Sequence, residues 1–204
     1  MRLKVFWLNV NIIRALPSLF IYKFSPMKTC IDEDIEAWIK ILDLKYLNYR
    51  RWKYFHYLLL FYPEFRNLFY YRIKQNNPIL SIIIQIFYPR LSTLYINATS
   101  IGSGLFIQHG FCTIIAAKSI GKNCWINQQV TIGFSGRDNC PTIGDNVRIA
   151  AGAKVLGKIN IGSNCFIAAN AAVISDVPDN CLVGGVPAVI LKQNGVRIHQ
   201  NKGA

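Results

Sequence analysis

Every sixth residue from Ile143 to Val173 is β-branched and aliphatic: Ile143, Ile149, Val155, Ile161, Ile167, Val173. The fifth position of each hexad is apolar as well (Val147, Ala153, Ile159, Cys165, Ala171, Val177). An α-helix cannot keep residues i and i+6 on one face, because six steps rotate by about 600°. A single long strand would also need apolar residues at i+2. Those positions hold Asp145, Ala151, Gly157, Ser163, Ala169 and Ser175, all small or polar. A short strand, a corner and another short strand, repeated, remains. Three hexads then make one triangular coil, and successive coils stack as parallel strands about 4.8 Å apart. The aliphatic side chains fill the prism.

The pattern extends backward through Ile132, Ile126 and Ile120, and again through Ile107 and Ile101. One extra residue near Thr113 shifts the frame between the groups. Residues 133–142 replace a corner with an extruded loop. Four coils are therefore expected, at 101–119, 120–142, 143–160 and 161–178, within a β-helix domain spanning 96–191. A C-terminal tail, 192–204, follows.

Residues 1–95 form an N-terminal region of helical character. Ile35, Trp38, Ile39 and Leu42 recur at helical spacing within 32–44. Pro63 opens a second helix carrying Phe65, Leu68, Phe69 and Ile73. Asn77-Pro78 precedes a third apolar stretch, 79–87, whose β-branched run leaves helix or strand open. In residues 50–55 aromatics interleave with Arg and Lys, which suits a membrane interface or a cap packed by helices.

The net charge of +13 comes from 23 Lys/Arg against 10 Asp/Glu; residues 1–96 hold 14 against 6 (+8), and the rest 9 against 4 (+5). Such a balance suits acidic ligands or anionic lipid headgroups. No basic run or recognition motif points to nucleic acid. The apolar stretch after Lys4 reaches only Ile13 before Arg14, too short for a spanning helix, and no cleavage site follows. A cytoplasmic location, with contact at the inner membrane face, is the expectation. The six cysteines show no paired spacing and read as small buried residues.

Of the three histidines, His56 lies among aromatics and His199 near the last residues, while His109 sits inside the repeat, two residues past an interior Ile. Imidazole is the side chain best suited to take a hydroxyl proton near neutral pH.

The stretch from Ile101-Gly102 through Ile107-Gln108-His109-Gly110 to Gly184-Gly185-Val186-Pro187 resembles the hexapeptide-repeat acyltransferases. Within them it is similar to the serine O-acetyltransferase and polysaccharide O-acetyltransferase branch. The resemblance covers about residues 96–191. It implies a left-handed parallel β-helix, a homotrimer, and acetyl-CoA as co-substrate in a groove between subunits. It gives His109 the role of general base and the backbone near Gly133 that of oxyanion donor. It places Ala151 and Ala169 along the pantetheine arm, and Lys154 and Lys192 near its phosphates, unless those lysines are plain surface charges. No metal is implied, and a three-histidine zinc site is excluded by the single histidine in the coils.

Two departures bear on the acceptor. Serine enzymes of this kind carry an acid before the base, and here Gln108 stands there. Their extruded loop carries an Arg-His pair, and here the matching residues are Asp138-Asn139-Cys140-Pro141. The carboxylate of serine would lack its clamp. The expected function is acetyl transfer to a sugar hydroxyl in surface polysaccharide synthesis. Serine O-acetyltransferase, an N-acetyltransferase for nucleotide amino sugars, and a non-catalytic trimeric scaffold stand as alternatives.

Overall fold

The structure, a computed structural model, describes residues 2–136 and 139–198; His199 and Asp138 lie outside the described residues. The chain divides into two compact units, residues 1–92 and 93–204.

The first unit is helical: α1 (Arg2–Val10), α2 (Ile12–Phe24), α3 (Lys28–Ile41), α4 (Arg51–Phe61), α5 (Pro63–Lys74) and α6 (Pro78–Ile83). The expected periodic residues Ile35, Trp38 and Ile39 are buried on α3, and Pro63 opens α5 at its first turn. Asn77 caps α6, its side chain accepting from the Leu80 amide at 2.9 Å. The open question over 79–87 resolves as this helix followed by a short 3-10 turn at Ile84–Ile86. In α4 Tyr54 and Phe55 face inward, so these aromatics pack while Arg51 and Trp52 stay exposed. Phe55 stacks on Tyr22 at 4.5 Å and meets Phe69 edge-on at 4.9 Å. Arg72 on α5 donates from Nε to Asp34 Oδ2 at 2.9 Å and from a terminal nitrogen to Oδ1 at 3.1 Å, both side chains wholly enclosed.

The second unit is the three-sided prism. Its first coil is β1 (Leu94–Ile96), β2 (Ser100–Ile101) and β3 (Phe106–Ile107), and its second β4 (Thr113–Ile115), β5 (Ser119–Ile120) and β6 (Trp125–Ile126). The third is β7 (Thr131–Gly133), β8 (Thr142–Ile143) and β9 (Arg148–Ile149), and the fourth β10 (Lys154–Leu156), β11 (Asn160–Ile161) and β12 (Phe166–Ile167). A fifth runs from β13 (Ala172–Val173) to β14 (Cys181–Gly185). One face stacks β1, β4, β7, β10 and β13, a second β2, β5, β8 and β11, and a third begins at β3 and runs through β14. The sequence count of four coils thus falls short by one. The missed rungs are β14, beyond residue 178, and β1, whose three residues carry an exposed Tyr95 beside buried Leu94 and hide the hexad pattern.

All six hexad residues, Ile143 to Val173, are buried in equivalent strands. At the corner between the second and third faces the chain needs glycine. A Cβ on Gly121 would lie 2.5 Å from the Gly144 carbonyl carbon one coil above, closer than any side chain tolerates. After β14 the chain reverses into β15 (Ala188–Gln193) and β16 (Val196–Arg197), both antiparallel. All six cysteines are free thiols; Cys124, Cys165 and Cys181 are buried, Cys112 is exposed, and Cys30 and Cys140 are half-buried.

Candidate active site

Chemistry concentrates at the corner where the third face turns into the first. In the later coils this corner takes four residues, 127–130, 150–153 and 168–171, with one left-handed residue each: Gln129, Gly152 and Asn170. Between β3 and β4 five residues, 108–112, lie outside the strands, and two are left-handed, His109 at φ 51° and Cys112 at φ 50°. Ile114 pairs with Thr131 and Ile115 with Ile132, so this corner is two residues longer than the next one, where the repeat suggested a single extra residue near Thr113. A histidine in the left-handed region costs on the order of 1 kcal/mol. In return, the bulged corner turns the His109 side chain out of the prism, where it is exposed. No described side chain occupies its ring nitrogens.

Gln108, beside it, is held firmly. Its Oε1 accepts from Trp125 Nε1 at 3.2 Å and from Asn127 Nδ2 at 3.3 Å, both one coil above. Trp125 is itself clamped, with Phe106 edge-on at 5.0 Å and the Arg148 guanidinium 4.2 Å from its ring centre. Sequence reasoning missed Trp125, Asn127 and Arg148. The signal was available: β3 and β6 pair Phe106 with Trp125, so residues 19 apart are stacked neighbours. The buried oxygens Asn127 Oδ1 and Gln128 Oε1 find no donor among the described residues.

Counted from the end of each third-face strand, the second corner residue is His109, then Gln128, Ala151 and Ala169 in the coils above. In the backbone ladder Phe111 stands below Gln128, and His109 lies in the bulge before it. With coils about 4.8 Å apart, Ala151 and Ala169 lie roughly 10 and 14 Å along the edge from His109. Their side chains are single methyl groups, which add little bulk along this edge. Lys154 opens β10 at the same edge, and its ammonium donates to the Gln129 carbonyl at 2.7 Å. It is tied to backbone, with two protons left for an anion.

Two of the expected residues lie elsewhere. Lys192 pairs with Leu182, three residues back along the strand from the Gly185 turn at the edge. Gly133 ends β7 at the far side of the first face. Counted from Gln129, which donates to the Phe111 carbonyl at 3.1 Å, Gly133 is four extended residues away, about 13 Å. Within one chain His109 and the base of the extruded loop are not brought together. Among the described residues no cluster could hold a metal ion.

A three-sided parallel prism with an outward imidazole on a bulged corner is the build of the hexapeptide-repeat transferases. The family described as bacterial transferase hexapeptide (six repeats) matches residues 140–175. Serine acetyltransferase of Synechococcus elongatus is 36% identical over 151 residues, covering 69% of this chain and 62% of the relative. That of Staphylococcus aureus is 50% identical over 102 residues, 48% of each. A solved serine acetyltransferase in complex with CoA superposes with a TM-score of 0.61 at 30% identity, over 83% of this chain and 72% of that one. The chain belongs to the hexapeptide-repeat acyltransferase superfamily, and its prism is the left-handed β-helix of these serine acetyltransferase structures. It spans about half to three-fifths of the length of the two curated relatives. The polysaccharide role expected from the sequence has no counterpart among these relatives.

Proposed function

We propose that this chain is an acetyl-CoA-dependent O-acetyltransferase with His109 as general base. One observation carries the reading: an exposed imidazole stands at the head of an edge column whose later members are alanines. His109 takes the proton from an acceptor hydroxyl as its oxygen attacks the thioester carbonyl. When the carbon–sulfur bond breaks, the imidazolium returns that proton to the leaving thiolate, giving an ester and free CoA. Ala151 and Ala169 leave room for the pantetheine arm, and the orphaned oxygens of Asn127 and Gln128 can accept from amide or hydroxyl donors. Gly133 lies about 13 Å along the chain from Gln129, so in this reading the backbone donors that meet His109 come from a neighbouring copy. The working unit is therefore a homotrimer with its sites between subunits.

Serine is the acceptor to test first, since the relatives are serine acetyltransferases. A sugar hydroxyl is the second reading. Gln108 supplies no charge, and Asn139-Cys140-Pro141 supplies no cation. Purified chain is incubated with acetyl-CoA and either serine or neutral sugars, and released thiol is measured. Turnover with serine that falls roughly 10²–10⁴-fold in His109→Ala supports the first reading. Turnover with sugars alone selects the second. Turnover unchanged in His109→Ala removes the base, and none with any acceptor leaves a scaffold.

A further inference from the structure

The first two helices expose their apolar side chains. On α1, Leu3, Phe6, Trp7 and Val10 recur at i, i+3, i+4 and i+7, which is one face of a helix, and all four are exposed. On α2, Ile13, Leu16, Phe20 and Phe24 continue the face; Ile13 is 75% and Phe20 66% exposed. Phe20 and Phe24 border a groove whose other side is Ile73 and Leu80, and beyond it Ile79, Ile82 and Ile86 are exposed again. A patch of this extent is not left in water without an occupant.

Charge identifies the occupant. Residues 1–31 hold five cations, Arg2, Lys4, Arg14, Lys23 and Lys28, and no Asp or Glu. Lys23 lies 5.3 Å from the Phe24 ring centre, and the Arg14 guanidinium 4.5 Å from that of Tyr88. Lys28 is paired with Asp32, which leaves Arg2, Lys4, Arg14 and Lys23 along α1 and α2 with no acid on either helix. A second copy mating through this face would therefore bring cations against cations. An anionic bilayer surface answers both the apolar stripe and the charge. Among the described residues no helix is long and apolar enough to cross a membrane. α1 and α2, about 14 and 20 Å long, would instead lie in the plane of the headgroups.

We propose that the α1–α2 face docks this chain onto anionic lipid bilayers, with Phe6, Trp7, Ile13 and Phe20 in the acyl boundary. The surface is separate from the acetyl-transfer site, so either can fail alone. Flotation with vesicles of phosphatidylcholine, alone or mixed with phosphatidylglycerol, tests it on the full chain. The chain should float with the mixed vesicles, release in high salt, and show Trp7 emission shifting to the blue. The Phe6→Ser, Ile13→Ser, Phe20→Ser variant changes only exposed positions, which circular dichroism checks. Its partitioning should fall at least about tenfold. Equal partitioning of variant and wild type, or no binding by wild type, overturns the proposal. If wild type does not bind vesicles and the variant drops to a smaller assembly in light scattering, the face belongs to a second copy.

Discussion

Trp125 Nε1 donates to Gln108 Oε1 at 3.2 Å, and an indole nitrogen can only donate, so this bond fixes which end of the amide is which. Both hydrogen bonds to Gln108 fall on its oxygen. Its NH₂ group therefore remains the free end, a donor next to the base in a place where an acid could only accept. Gln108→Glu keeps the indole bond and adds a negative charge beside His109. The acidic limb of the kcat/KM profile should move up by about one pH unit, since a nearby anion favours imidazolium. An unshifted limb in a pH titration of the variant would show that position 108 does not face the base.

The alanine column predicts a separation of kinetic constants. Ala169→Leu places three further carbons on the edge where the pantetheine arm would lie, three coils from His109. KM for acetyl-CoA should rise about tenfold or more, with kcat little changed, because the bulk opposes binding of the arm and not the chemistry. Steady-state kinetics at saturating acceptor make the measurement. A fall in kcat alone would place the arm elsewhere.

Arg72 and Asp34 form a forked ion pair with both side chains enclosed. Arg72→Met strands a buried carboxylate and should cost about 3–5 kcal/mol. Adding Asp34→Leu removes the stranded charge and should recover most of that loss. Urea unfolding of the two single variants and the double variant closes the cycle. Additive losses would mean that the groups do not depend on each other.

His56 is fully buried, and neither ring nitrogen has a partner among the described residues. Burial, assisted by Lys53, lowers its pKa from 6.5 to about 4. Above pH 6.5 the ring is neutral in native and unfolded chains alike, and this stability is fully present. As pH falls from 6.5 toward 4 the unfolded chain binds a proton that the native chain refuses. Stability should fall by about 3 kcal/mol over that window. Denaturation midpoints taken at successive pH values should show a shallower fall in His56→Phe; parallel curves would rule out His56 as the source.

The prism was legible because its period of six fits neither helix nor flat strand, and Ile143 through Val173 repeat it unbroken. β1 escaped notice because a rung of three residues with an outward Tyr95 carries no period. In the helical unit, α3 and α5 announced themselves through a buried stripe and an opening proline. α4 did not, since Tyr54 to Leu59 are all buried and erase any stripe. α1 and α2 read as an apolar stretch too short to span a bilayer, where the structure has two helices with apolar outer faces. His109 could be picked out as the one histidine in the coils. The grip on Gln108 could not, because Trp125 and Asn127 are 17 and 19 residues away in sequence and meet it only when coils stack.

A stack of parallel rungs has no inherent last member, for each new rung displays the same unpaired amides and carbonyls that recruited it. At β14 the chain doubles back: β15 runs against β14, β16 runs against β15, and together they occupy the open edge of the third face. Their side chains no longer repeat the inward aliphatic code. On that face the hairpin works against end-to-end polymerisation, because an antiparallel pair without the hexad pattern is a poor template for the hexads of another molecule.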